Sequence, residues 1–125
     1  MTRVLVCGDR YWSDKEMIKN VLLNGVISGQ KIDLVIEGGA CGADRIAIEC
    51  ANELGRKVIE FPADWVTYGR AAGPIRNKQM LDEGKPELVL AFHDDLTKSK
   101  GTKNMVEQAK KRNIEVYIYQ HGAVV

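Results

Sequence analysis

Only three cysteines occur, at positions 7, 41 and 50, and no two of them have C-x-x-C spacing. An odd number so placed argues against a disulfide framework and against a zinc site, so reduced thiols are expected. No apolar run approaches the roughly 20 residues of a membrane span, which excludes a transmembrane helix. Net charge is missing as well. Eighteen basic against 17 acidic residues leave +1 over 125 residues, so the chain lacks the broad positive field that draws nonspecific binders to DNA. Aromatic residues make up only 6% of the chain, few for a surface that stacks single-stranded bases. The start, M-T-R-V-L-V-C-G, turns polar after a handful of residues and has no long apolar core or cleavage site. It reads as a first strand and not as a signal peptide, and a cytoplasmic protein is expected. Internal repeats, low-complexity tracts and interdomain linkers are absent too.

What is present is close to the average for soluble globular proteins: 45% hydrophobic and 28% charged residues. A chain of 125 residues can bury a core without disulfides or metals, and a single domain over 1–125 is expected. Val4 to Cys7 form a short apolar run ended by Gly8, which suits a buried strand. Ser13-Asp-Lys-Glu16 matches a capping box, followed by Met17, Ile18, Val21 and Leu22 at helical spacing. Leu34 to Ile36 make a second strand. Ala43, Ile46, Ala47, Cys50, Ala51 and Leu54 then share one helical face, with Gly55 in the usual post-helix place. Val58, Ile59 and Phe61 give a third strand, ended by Pro62. Pro74 fits the first turn of a helix running through Met80 and Leu81 towards Gly84. Leu88 to Phe92 form a fourth strand, Thr102 caps a helix carrying Met105, Val106 and Ala109, and Ile114, Val116 and Ile118 alternate as a fifth. Strands alternating with helices, joined by right-handed crossovers, predict a Rossmann-like three-layer α/β/α fold with a mainly parallel sheet of about five strands. The tail from His121 to Val125 has no clear place in this order.

In such a sheet ligands bind outside the carboxyl ends of the strands. Gly8-Asp9-Arg10, Gly38 to Asp44, Asp64-Trp65 and His93 to Thr102 all fall there. Gly38, Gly39 and Gly42 leave the backbone free to approach a ligand, and the first amides of the next helix, through Ala40 and Ala43, favour an anion. Ser99-Lys-Gly101-Thr102 repeats the device, with Lys98, Lys100 or Lys103 as further donors. Two helix amino ends on one cleft suggest a nucleotide or a related phosphorylated compound. The turn E37-G-G-A-x-G-A-D44 fits neither the Walker pattern nor a clean G-x-G-x-x-G, and tight packing explains such a turn equally well. Asp44 either complements the helix dipole or contacts ribose or a metal. Asp94 and Asp95 read as turn formers ahead of magnesium ligands. Trp65 and Tyr68 either stack on a base or close a core edge. His93 and Cys41 lack an evident catalytic partner and read as structural.

Taken together, G8-D-R10, E37-G-G-A-x-G-A-D44, D64-W65, Y68-G-R-A-A-G-P-I-R-N77 with Met80, and S99-x-G-T102 resemble the YspA-like family of the SLOG superfamily, over nearly the whole chain from Val4 to about Val116. The ordered set, above all A-G-P-x-R-N-x-x-M, carries the resemblance. It implies a Rossmann-like domain that takes nucleotides or nucleotide-derived ligands. It also brings Gly73, Pro74, Arg76 and Asn77 into the expected site, Arg76 and Arg10 pairing with phosphate, and Asn77 and Asp44 meeting ribose or base. The superfamily includes the LOG phosphoribohydrolases, which split base from ribose with an arginine and a glutamate, and the DNA-processing Smf/DprA proteins. Here Arg76 and Met80 match the first LOG motif, but Met105 stands where the second has its glutamate. A thioether can neither stabilise an oxocarbenium-like state nor activate water.

The resemblance therefore implies ligand binding first, for sensing, sequestration or processing. A LOG-like nucleotide N-glycosidase comes second, with Arg76, Asp44 and Asp9 as catalytic candidates, and single-stranded DNA processing third. No resident cofactor is expected, magnesium entering only with a phosphate ligand. The expected partners are the small molecule and, by analogy with LOG proteins, a second copy of the chain in a homodimer; nucleic acid and membrane are not expected.

Overall fold

A computed structural model describes residues 2–26 and 30–121. Five strands, β1 (Thr2–Gly8), β2 (Ile32–Glu37), β3 (Lys57–Glu60), β4 (Leu88–Phe92) and β5 (Glu115–Tyr119), form one sheet in the order β3-β2-β1-β4-β5. Every pairing is parallel. The helices are α1 (Lys15–Asn24), α2 (Ala43–Glu53), the single turn α3 (Trp65–Tyr68), α4 (Ala72–Gly84) and α5 (Lys100–Lys111). None of the described helices is long and apolar enough to cross a membrane.

The burial follows from the crossovers. β1 and β4 are central and covered on both faces, so Val4 to Cys7 and Leu88 to Phe92 are apolar without alternation and buried throughout. One core, with Val4, Val6, Val35, Leu90 and Phe92, packs under α1 and α2 through Ile18, Leu22, Ala47 and Cys50. The other, with Leu5, Ile36, Val89 and Ala91, packs under α4 and α5 through Met80, Leu81, Met105 and Ala109. Edge strands β3 and β5 keep charged Lys57, Glu60 and Glu115 in water, which discourages pairing with another sheet. Cys7, Cys41 and Cys50 are all free thiols.

Several helix ends differ from the sequence expectation. The cap of α1 is Asp14, whose carboxylate accepts from the Met17 amide at 3.1 Å, one residue beyond the predicted Ser13. Ser99 caps α5 by accepting from the Thr102 amide at 3.2 Å, while Thr102 itself is buried and donates its hydroxyl to the Gly8 carbonyl at 3.1 Å. Both shifts arise because two nearby residues have competent oxygens and only the path of the incoming chain chooses between them. Gly84 falls where the sequence expects α4 to run. It is the last residue of α4, its Cα faces Ile36 so closely that a Cβ would lie 3.0 Å from Cδ1, and Lys85 takes the left-handed turn at φ 50°. Gly55 does stop α2 as predicted: Gly55 donates to the Asn52 carbonyl and Arg56 to that of Ala51, the pair of bonds that closes a helix carboxyl end.

The end of the described chain is fastened to both loops beside β1 and β4; positions 122–125, the rest of the tail, lie outside the described residues. The His121 ring stacks on Trp12 at 4.5 Å between centroids, its Nε2 lies 2.7 Å from Asp14 Oδ2, and its Nδ1 lies 3.0 Å from Asp94 Oδ2. Only the imidazolium can donate to both carboxylates. These bonds raise the His121 pKa above its ordinary 6.5 and hold Asp14 and Asp94 below 3.8. The stabilisation is thus complete below pH 6.5, is lost as pH climbs through the raised histidine value, and fades at the acid end as the two carboxylates protonate. His121→Gln is expected to lower the unfolding midpoint at pH 6 and to leave it close to the native value at high pH, as thermal scans from pH 5 to 9 would record.

Candidate functional site: a cleft at the carboxyl ends of the strands

A cleft of about 520 Å3 opens where β1 and β4 diverge into α1 and α5, the crevice where parallel sheets of this kind take ligands. Its volume lies in the range that small-molecule sites occupy. Strand β1 and the loop after it deliver Cys7, Gly8, Asp9, Arg10 and Tyr11; the loop before α2 delivers Ala40, and the first turn of α2 delivers Asp44. Trp65, Gly73, Arg76, Asn77 and Met80 come from α3 and α4, and His93, Lys98, Ser99, Lys100, Gly101 and Thr102 from the β4–α5 connection.

The first glycine turn is occupied by the protein itself. Asp44 Oδ2 accepts from the amides of Gly38 at 3.2 Å and Ala40 at 3.3 Å, Glu37 Oε2 accepts from the Gly39 amide, and the Ala43 amide donates to the Asp9 carbonyl at 3.1 Å. Amides that the sequence offers to a phosphate are therefore engaged by internal acceptors, and Asp44 fills the anionic place at the start of α2. Gly42 is the residue this arrangement demands. It sits at φ 71°, and a Cβ there would lie 2.3 Å from the Asp9 carbonyl oxygen.

Two acids in this corner are strongly perturbed. Burial raises the Asp44 pKa from 3.8 to about 6, against the Ala40 amide and the Arg76 guanidinium, which pull it down. Burial likewise takes Glu37 from 4.5 to about 8, with Asp44 and Glu60 adding repulsion. Glu37 is fully buried, and its Oε1 has no hydrogen-bond partner, consistent with a protonated carboxyl. Burial also pushes the Cys7 thiol upward, with help from Asp44, so it is no nucleophile at neutral pH. Among the described residues no group of three or more His, Cys, Asp or Glu side chains converges as metal ligands would.

Arg76 reaches across from α4 and donates from Nη1 to the Gly38 carbonyl at 2.8 Å. The absent side chain of Gly38 makes the room, since a Cβ there would lie 2.1 Å from Nη1. Arg76 Nε donates to Asn77 Oδ1 at 3.2 Å, and Asn77 Nδ2 donates to the Gly101 carbonyl and to Asn104 Oδ1, both at 3.1 Å. Asn77 is buried and ties α4 to α5. Asp9 likewise shapes its own loop, its Oδ1 accepting from the Tyr11 amide at 2.9 Å. At the other end, Ser99 and Gly101 open α5 between exposed Lys98 and Lys100. His93 Nδ1 accepts from the Asp95 amide at 3.0 Å, which places the proton of the neutral ring on Nε2.

Of the residues expected from sequence, Gly8, Asp9, Arg10, Ala40, Asp44, Trp65, Gly73, Arg76, Asn77, Ser99, Gly101 and Thr102 line this one cleft. Gly38, Gly39, Gly42, Ala43 and Pro74, also expected, are not among its lining residues. Tyr11 and Cys7 also line it although the sequence did not single them out, and so does His93, which the sequence placed at the rim but read as structural. Tyr11 follows G8-D-R10 directly, and that adjacency was the one available signal. Met105, where LOG proteins have their glutamate, is fully buried in the core under α4 and α5.

The family described as "YspA, cpYpsA-related SLOG family" matches residues 2–68, from β1 through α3. The Gene 61 protein of Mycobacterium phage D29 is 33% identical over 121 residues, covering 93% of this chain and 94% of that protein. DNA processing protein A (DprA) from Streptococcus pneumoniae is similar in structure, with a TM-score of 0.72 at 18% identity; the match covers all of this chain and 52% of that one. UDP-GlcNAc 2-epimerase from Neisseria meningitidis, bound to UDP-GlcNAc, gives 0.61 at 15% identity over 98% of this chain and 33% of that one. This chain thus spans about half of the DprA chain and a third of the epimerase chain, and at such identities the likeness is one of fold.

Proposed function

The chain belongs to the YspA, cpYpsA-related SLOG family, and from that membership and the cleft we propose that it binds a nucleotide or nucleotide-derived phosphorylated ligand, for sensing, sequestration or processing. The observation that carries the proposal is the polarity of the cleft. Its α5 end has Lys98, Lys100 and a helix amino terminus capped only by the neutral Ser99 hydroxyl, a setting suited to an anion, whereas its α2 end is already occupied by the Asp44 carboxylate. Phosphate goes to the α5 end, with Arg76 between the two ends. The ribose hydroxyls or base amines, which donate hydrogen bonds, go towards Asp44. A magnesium ion would come only with the phosphate.

A thermal-shift panel of nucleoside monophosphates, cyclic nucleotides, ADP-ribose and NAD tests this. A ligand at 100 times its dissociation constant stabilises by about 2.7 kcal/mol. Changing Lys98 and Lys100 together to alanine, or Arg76 to alanine, is expected to weaken binding about tenfold or more, since each charge-assisted bond is worth roughly 1.5–3 kcal/mol. Unchanged affinity in the exposed lysine pair would move the phosphate away from α5.

One observation favours a second reading, nucleotide N-glycosidase activity: a buried carboxyl of the cleft, Asp44, titrates near neutrality, with a pKa of about 6, where a general acid or base is most useful. Water would add to the ribose carbon as the base leaves, giving free base and ribose 5-phosphate from a nucleoside monophosphate. Release of base that disappears in Asp44→Asn would support turnover; intact nucleotide after long incubation would leave binding alone.

A further inference from the structure

We infer that Tyr11 and Trp65 form an aromatic clamp for the base of the ligand, so that the cleft selects base-bearing nucleotides over plain sugar phosphates. The inference rests on the nucleotide reading above and adds which part of the ligand is held, and by which side chains.

Three other aromatic side chains, Trp12, Phe92 and Tyr119, are packed on one another. Trp12 meets Phe92 edge-on at 5.8 Å, and Phe92 stacks on Tyr119 at 4.9 Å. Tyr11 and Trp65 are instead 83% and 59% exposed, and both line the cleft. Tyr68, also half exposed, does not. Topology brings the two residues to the cleft from elements that belong to opposite faces of the sheet. Tyr11 lies on the turn into α1, which covers one face of the sheet with α2, whereas Trp65 opens α3, which leads into α4 on the other face. The Trp65 ring stays close to α4, with Cη2 3.6 Å from where a Cβ of Gly73 would lie.

Both rings are presented on pinned backbone. Asp9 accepts from the Tyr11 amide and, through its carbonyl, from the Trp12 amide; Asp64 caps α3 by accepting from the Thr67 amide at 3.0 Å. Few degrees of freedom are then left to lose when a flat ligand enters, which is how Tyr and Trp supply contact area at low entropic cost. Every base has a π-face, and stacking on an aromatic side chain is sequence-tolerant. The clamp therefore holds a base without choosing which, and that choice falls to polar groups such as Asp44 and the His93 Nε2–H.

The test measures affinity by calorimetry for AMP, UMP and ribose 5-phosphate with the native protein and with Tyr11→Ala, Trp65→Ala, Tyr11→Phe and Trp65→Phe. The alanine variants are expected to lose about tenfold or more on AMP and UMP and nothing on ribose 5-phosphate, while the phenylalanine variants retain binding. Indole fluorescence gives a second readout, because Trp12 is buried and Trp65 is exposed: AMP should quench the native protein and not Trp65→Phe. Equal affinity for AMP and ribose 5-phosphate in the native protein, or unchanged AMP affinity in both alanine variants, would overturn the clamp while leaving the phosphate site intact. Failure of all three probes to bind the native protein would overturn the nucleotide reading, and the clamp with it.

Discussion

Gly42→Ala is expected to lower the unfolding midpoint by roughly 10 °C or more. Gly42 has φ 71°, where any L side chain costs about 1–2 kcal/mol, and its Cα faces backbone and not a yielding side chain. The new methyl would lie 2.3 Å from the Asp9 carbonyl oxygen and 2.4 Å from the Arg10 carbonyl, so the β1–α1 loop must move, at about 1–3 kcal/mol for overpacking. The same movement breaks the bond from the Ala43 amide to the Asp9 carbonyl. A matched Gly101→Ala change serves as control, because nothing lies within 4 Å of a Cβ there. Thermal unfolding of the two variants side by side would show a large drop in the first and almost none in the second.

Asp44→Asn is expected to stabilise the protein at pH 8, on the order of 2–3 kcal/mol, and to make no difference near pH 4. The native pKa of about 6 lies above the ordinary 3.8, so the folded protein binds the proton more tightly than the unfolded chain does. That contribution to stability is complete below pH 3.8 and is lost as pH rises through about 6. Asparagine keeps a carbonyl oxygen for the Gly38 and Ala40 amides and never ionises. Asp44→Ala should do the reverse, leaving two amides short of an acceptor at about 1–3 kcal/mol each. Urea unfolding at pH 4, 6 and 8 separates the two variants, and a flat difference between native and Asn forms across that range would show that Asp44 does not titrate in it.

The strands and their order of appearance were legible because β1, β2 and β4 carry unbroken apolar runs, β3 a short apolar stretch before Pro62 and β5 an alternation, and the helices because Ile18, Val21 and Leu22 or Met105, Val106 and Ala109 recur at helical spacing. Helix ends were less so: Ser13 and Asp14, or Ser99 and Thr102, are equally good caps on paper. The single turn α3 left too short a pattern to read. In the candidate site, the residues after β1, β2 and β4 could be named because strand ends converge in any parallel sheet. Their partners could not. Nothing in E37-G-G-A-C-G-A-D44 says that its last residue turns back to take up the amides of its own loop, or that Arg76, 38 residues from Gly38, fills the space that glycine leaves.

Hydrophobic periodicity is a local property, so the sequence alone determined the alternation of strand and helix, the parallel sheet and the rim where a ligand belongs. Hydrogen-bond partnership and burial depend on which distant segments meet. Only the tertiary structure decided that the first glycine turn is already filled by Asp44, that the neutral Ser99 hydroxyl caps the α5 end, and that Tyr11 and Trp65 line one cleft.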